Sequence, residues 1–188
     1  ASVRSNQILA SVVPVSSAPA CDKTLTQEHY IDLMKSASLS DRYTAAKALS
    51  YFNSKESILA LIERMNDAKE HIYVRLESAS SLLKLGRKES VSFFKDMLKN
   101  PYLENRLEAV IILGEISQDE ACDLLVNTLL DTKQHPEIRA GAAWSLGELK
   151  NQKALNALVS AFDAVEKDVR IEAARAMVKL NEQFAKDT

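Results

Sequence analysis

The side chains able to hold a metal or act as nucleophiles are few and scattered. The chain has three histidines, His29, His71 and His135, and two cysteines, Cys21 and Cys122. His71 and His135 each stand four residues before an arginine, Arg75 and Arg139, but in repeat units two layers apart. Stacked helices lie about 8 to 10 Å apart, so roughly 20 Å would separate two rings that one ion would need within a few ångströms. Both are read as helix-start residues, and His29 has no companion. The cysteines form no CxxC or metal spacing; Cys122 stands where other units carry apolar residues and is expected to be a small buried one, whereas Cys21 falls in a tail. Neither a phosphate-cradling glycine loop, nor a nucleophile elbow, nor a serine–histidine–acid arrangement is present. The chain is therefore expected to be no enzyme on its own, with no cofactor and no metal.

What the sequence does carry is a period. Arg42, Arg75, Arg106, Arg139 and Arg170 each open the same apolar phrase. Counted from each arginine, the third and fourth positions are Ala45 and Ala46, Ser78 and Ala79, Ala109 and Val110, Ala142 and Ala143, Ala173 and Ala174. The seventh is Leu49, Leu82, Leu113, Leu146 or Met177, and the tenth Phe52, Leu85, Ile116, Leu149 or Leu180. Steps of three and four are one face of a helix, and the small residues let helices approach closely. A second apolar run follows in the first four units: Ile58, Leu61, Met65; Val91, Phe94, Leu98; Cys122, Leu125, Leu129; Leu155, Leu158, Phe162. Each unit is thus a helix pair, and a period of this length means a stack of helical repeats.

Breaks fall where backbone chemistry permits them. Pro101 and Pro136 stand near the starts of first helices, and Gly86 and Gly114 near ends. Thr26 followed by Gln27 and Glu28 reads as the cap of a leading helix to about Ser36, whose Tyr30, Ile31 and Met34 would cover the first full unit. Residues 1–25 have a different composition, with Arg4 as their only charge before Asp22 and a Pro14 to Ala20 stretch suited to an extended tail. They are read as a tail or linker, or alternatively as a targeting remnant built on Arg4, the run from Ile8 to Val15 and Ala18-Pro19-Ala20-Cys21. Residues 26–188 form the repeat domain. Gln183 to Thr188 come where a fifth second helix should begin, so the array is expected to end on an unpaired helix, as in part of a longer protein or complex or at a docking surface.

The strings Val74-Arg75-Leu76-Glu77-Ser78-Ala79, Asn105-Arg106-Leu107-Glu108-Ala109-Val110, Ile138-Arg139-Ala140-Gly141-Ala142-Ala143-Trp144-Ser145-Leu146-Gly147 and Val169-Arg170-Ile171-Glu172-Ala173-Ala174 resemble HEAT repeats, closest to the short subclass named after phycobilisome lyases. The resemblance covers roughly residues 38 to 184. It implies an all-α, right-handed solenoid of antiparallel helix pairs, a HEAT-like superhelix acting as scaffold or adaptor; the subclass also implies, as the alternative, a subunit of a bilin lyase or related chromophore-handling complex. Some HEAT enzymes hold two irons with His-Glu pairs. Here Glu77, Glu108 and Glu172 stand at the right offset, but Leu76, Leu107 and Ile171 precede them, and the ligand pairs are missing. Asp67, Asp131 and Asp163 fall out of phase with the arginines, so no regular arginine–aspartate ladder is expected.

Two surfaces are candidates for a protein or peptide partner. Trp144, the single tryptophan, sits at a position that varies between units; its ring either packs between first helices or anchors a partner. Outward positions of the second helices read Glu56, Leu59, Glu63; Glu89, Ser92, Asp96; Glu120, Asp123, Asn127; Lys153, Asn156, Ser160. In HEAT arrays such helices usually line the concave side, so the resemblance implies a groove acidic through three units and neutral in the fourth, suited to a basic segment unless it is merely solvated. Lys55, Arg64, Lys88 and Lys95 stand close enough to weaken it. A net charge of −2 argues against nucleic acid. No stretch has the roughly 18 apolar residues of a membrane helix, and a cytoplasmic location is expected.

Overall fold

The computed structural model describes residues 26–187, and side chains through residue 182; the tail, Cys21 and the targeting alternative lie outside the described residues. Within them the chain forms ten α-helices: α1 Gln27–Leu33, α2 Leu39–Leu49, α3 Lys55–Asn66, α4 Ile72–Lys84, α5 Glu89–Met97, α6 Leu103–Leu113, α7 Asp119–Leu130, α8 Pro136–Leu149, α9 Leu155–Ala161 and α10 Lys167–Asp187. A 3-10 turn, Gln152–Ala154, leads into α9. No strand occurs among the described residues, and the architecture is an all-α solenoid.

Local chemistry sets the helix boundaries. Oxygens of Thr26, Ser38 and Ser54 accept from the third backbone N–H beyond them and cap α1, α2 and α3, each such cap contributing about 1 kcal/mol. His71 and His135 cap α4 and α8 with Nδ1, which accepts from the N–H of Tyr73 and of Glu137 at 3.3 Å in both cases. The shared repeat position of the two histidines thus has a structural use. Pro136 occupies the first turn of α8, whereas Pro101 lies two residues ahead of α6. Gly86, at φ +73°, takes the left-handed turn that ends α4, and the N–H of Arg87 returns to the Leu82 carbonyl at 2.9 Å.

The core runs the length of the stack. Leu49, Leu82, Leu113 and Leu146 of the first helices and Leu61, Phe94, Leu125 and Leu158 of the second helices are fully buried, each such side chain contributing roughly 1.5 to 3 kcal/mol. Ala46, Ala79 and Ala143 are buried where first helices meet, and Cys122 is buried beside Leu125. Tyr30 of α1 and Met34, which caps its C-terminus, close one end, with Ile31 packed against the same core. The other end departs from the repeat pattern: Ala173 is buried but Ala174 only half-buried, and Leu155 and Phe162 are 41% and 51% exposed. Inward positions at the end of a stack lack the next layer, and α10 continues to Asp187 as one helix where a second was expected to begin.

The arginines stitch layers together through partners other than the aspartates. Arg106 donates from Nη1 to Gln134 at 2.5 Å, and Arg139 pairs with Glu166 at 2.8 Å, each acceptor lying in the loop before the next arginine helix. Asp67 and Asp131 instead turn inward on their own loops, accepting from the N–H of Lys69 and Lys133. Among the described residues Arg75 has no forward acceptor, and Pro101 holds the equivalent place. Its Nε donates to the Met65 carbonyl at 3.0 Å, and its guanidinium lies 5.2 Å from the Phe93 ring centroid.

Candidate protein-binding face

The curvature runs opposite to the expectation. The arginine-bearing helices α2, α4, α6, α8 and α10 pack side by side along the stack, while α3 and α5 barely meet. Leu39, Ser40 and Tyr43 of α2, Tyr73 of α4 and Glu108 of α6 line one concavity of about 330 Å³. Helices two layers apart in a straight stack would be about 20 Å from each other; the row whose helices approach more closely is the shorter one and lies inside the bend. The second-helix row is correspondingly splayed. A cleft of about 490 Å³ opens between α3 and α5, and another of about 350 Å³ between the ends of α7 and α9. The first helices therefore form the inner face, and the acidic positions chosen on the second helices lie on the outer one.

On that outer face Glu56, Glu63, Glu89, Ser92, Asp96, Asp123 and Asn156 are exposed and Glu120 is half-buried. Only Glu89, Ser92 and Asp96 come together, along one wall of the α3/α5 cleft. Their field is diluted, as expected from the neighbouring cations: Lys88 pairs with Glu120 at 2.9 Å and Arg64 lies 3.8 Å from Glu63. The hydrogen bond from Lys88 holds the Glu120 carboxyl below its usual range.

The inner face is richer in unspent chemistry. Position two after the arginine supplies Glu77 and Glu108, position five Ile111 and Trp144, and position nine Glu115 and Glu148. These offsets lie on one helical stripe, and stacking aligns the stripes of successive units. Glu77 is only 1% exposed, and its Oε1 has no hydrogen-bond partner. Burial pushes its carboxyl above the usual carboxylate range, against the pull of Lys84, Lys47 and the hydrogen bond to Tyr43. Burial likewise raises Tyr43, reinforced by the negative charges of Glu77, Glu115 and Glu108. Glu108 is raised too, by burial and by the charge of Glu115. Among the described residues neither Glu108 nor Glu115 forms an ion pair.

Trp144 settles neither wholly between helices nor free. Its side chain is 42% exposed in a concavity of about 420 Å³ with Ile111, Gly114, Glu115 and Glu148. The Nζ of Lys179, from α10, stands 5.7 Å from the ring centroid and also pairs with Glu148. Of this inner face, the sequence reading singles out Trp144 as a binding residue; Glu108 enters it only through the His-Glu offset, and Glu115 and Glu148 do not enter it. Among the described residues no group of three or more His, Cys, Asp or Glu is arranged to hold a metal, and no helix is long and apolar enough to cross a membrane.

A stack of helix pairs with buried leucines, small residues at the helix contacts and an arginine in every layer defines a HEAT-type array. The chain belongs to the HEAT-repeat family, whose model matches residues 28–105 and 98–178. Among solved structures it is similar to the complex of CpcE and CpcF of phycocyanin lyase from Nostoc sp. PCC7120, at 24% identity over 90% of this chain and 68% of that one, with a TM-score of 0.49. It is also similar to human deoxyhypusine hydroxylase in complex with glycerol, at 14% identity over 83% and 84% of the two chains and a TM-score of 0.37. A designed armadillo repeat protein in complex with the peptide (KR)4 is 21% identical over 82% of each chain, with a TM-score of 0.47. A search of curated proteins finds no match.

Proposed function

We propose that this chain is a non-catalytic scaffold that holds a protein or peptide partner of basic character. The observation that carries the reading is the inner face, where Glu108 and Glu115, without an ion pair among the described residues, stand beside exposed aromatic rings. An extended basic segment would supply the missing cations and cover Tyr73, 46% exposed, and Trp144. The outer acids around Glu89, Ser92 and Asp96 offer a second, weaker surface of the same sign, since part of their charge is already neutralised. Nucleic acid is disfavoured on both faces by charge.

The test is fluorescence anisotropy with two labelled peptides of equal length, oligoarginine and oligoglutamate, across a salt series. Oligoarginine should bind and weaken steeply as salt rises, because exposed charges are screened within about 10 Å at 0.1 M. Equal affinity for both peptides, or none for either, would reject the reading. Adding an open-chain tetrapyrrole to the same protein addresses the lyase alternative: a shifted absorbance band would move the function to chromophore handling.

A further inference from the structure

The inner concavity around Trp144 already contains a cation, supplied by the chain itself. Lys179 reaches back from α10, places its ammonium 5.7 Å from the Trp144 ring centroid and pairs with Glu148. Glu115, just past the C-terminal end of α6, lines the same concavity and is a carboxylate with no ion pair among the described residues. Gly114 keeps this place open and tight at once: a Cβ there would come within 2.9 Å of Ser145, so α6 and α8 approach closely beneath the ring. The result is one aromatic face, two carboxylates and a single ammonium on a flexible stem.

We propose that Trp144, Glu115 and Glu148 form a seat for one arginine side chain of a basic partner, and that Lys179 occupies this seat in the free chain as an internal competitor. This rests on the scaffold reading above and names the element of the partner that this face takes. An ammonium is a compact point charge and satisfies one carboxylate here. A guanidinium is planar, stacks on an indole face and carries five donors in a fork, so it can lie over Trp144 and bond Glu115 and Glu148 together. The incoming arginine therefore gains contacts that Lys179 cannot make, while Lys179, 35% exposed at its side chain, returns to water at little cost. Partner binding and the α8–α10 contact at Lys179 thus exclude each other at this point.

Trp144 is the only tryptophan in the chain, so its fluorescence reports the seat directly. The experiment titrates unlabelled oligoarginine and oligolysine into the full chain and into Lys179→Ala, Trp144→Ala and Glu115→Gln, reading tryptophan emission where present and competition with labelled oligoarginine throughout. Circular dichroism checks that each variant keeps its helices. Oligoarginine should change Trp144 emission and bind more tightly than oligolysine. Lys179→Ala should tighten oligoarginine about threefold or more, and Trp144→Ala and Glu115→Gln should each weaken it about threefold or more. Binding with unchanged emission, or a Lys179→Ala variant that binds no better than the parent, overturns the seat while leaving the scaffold reading in place. Failure of oligoarginine to bind the full chain and every variant overturns both.

Discussion

Arg42 and Glu70 meet across the first repeat boundary in a two-point pair, Nε donating to Oε2 at 2.8 Å and Nη2 to Oε1 at 2.9 Å. The Glu70 side chain is only 3% exposed, and its Oε1 also accepts from the N–H of His71 at 2.7 Å. One carboxylate thus ties α2 to the cap of α4.

That geometry fixes the pH behaviour of a Glu70→Gln variant. Burial alone would raise the carboxyl, but the Arg42 hydrogen bond, the His71 N–H and the charges of Arg42 and Arg64 outweigh it and hold Glu70 below its ordinary value. A folded-state value below the unfolded one stabilises the protein above the unfolded value and is lost as pH falls through the folded one. Glu70→Gln should therefore cost about 1 to 3 kcal/mol at neutral pH, with the difference shrinking in acid. Urea denaturation at a series of pH values checks this; a gap that persists unchanged well below the carboxylate range would contradict it.

Glu77→Gln should act in the other direction. Burial raises its carboxyl, so ionisation is easier in the unfolded chain and stability falls as pH rises past the unfolded value. Removing the charge should raise the melting temperature at neutral pH and make little difference in acid. The calorimetric comparison at two pH values decides; a neutral-pH loss would show that Tyr43 and the lysines Lys47 and Lys84 need the carboxylate.

Close helix approach makes a third prediction. In an exposed helix Gly→Ala is favourable by about 1 kcal/mol. At Gly147, a Cβ would stand 2.9 Å from the Ala176 Cα, a backbone atom of α10 that no rotamer change can move aside. Gly147→Ala should destabilise despite better helix propensity, and Ala143→Leu, at a fully buried contact, should cost about 1 to 3 kcal/mol by overpacking. Thermal melts unchanged in both variants would mean the helices do not pack as described.

The layered core was legible because burial repeats with the chain: each arginine is followed by the same small and branched residues, and those are the buried ones. Capping at His71 and His135 followed from their place before each helix. The direction of curvature was not legible, since apolar periodicity says which side of a helix faces its partner and nothing about which of two rows is shorter. Small residues on the first helices, Ala46, Ala79, Ala143 and Gly147, were the available signal, because the row with the closer contacts must lie inside the bend. The forward partners of the arginines were hidden for a different reason. Glu70 and Gln134 stand 28 residues after their arginines but Glu166 stands 27 after Arg139, and Pro101 takes the place in the remaining loop, so no single offset marks them. Lys179 on Trp144 depends on the contact between layers, which no one repeat encodes.

The reversed curvature separates the two acidic surfaces experimentally. Glu89 and Asp96 share the outer α3/α5 cleft and Glu108 and Glu115 the inner face, so charge reversal on the first pair and neutralisation of the second ask which one a basic peptide uses. Glu89→Lys with Asp96→Lys should leave the fold intact, because exposed helix-surface changes usually move stability by only about 0.5 kcal/mol. It should lower the association rate modestly through the long-range field and leave the dissociation rate unchanged. Glu108→Gln with Glu115→Gln removes contacts that the bound peptide would make, so it should raise the dissociation rate, the usual route by which lost interface contacts weaken binding. Stopped-flow measurements with oligoarginine at low and moderate salt resolve the two rates. An outer double variant that raises dissociation while the inner one leaves it untouched would place the partner on the second helices instead.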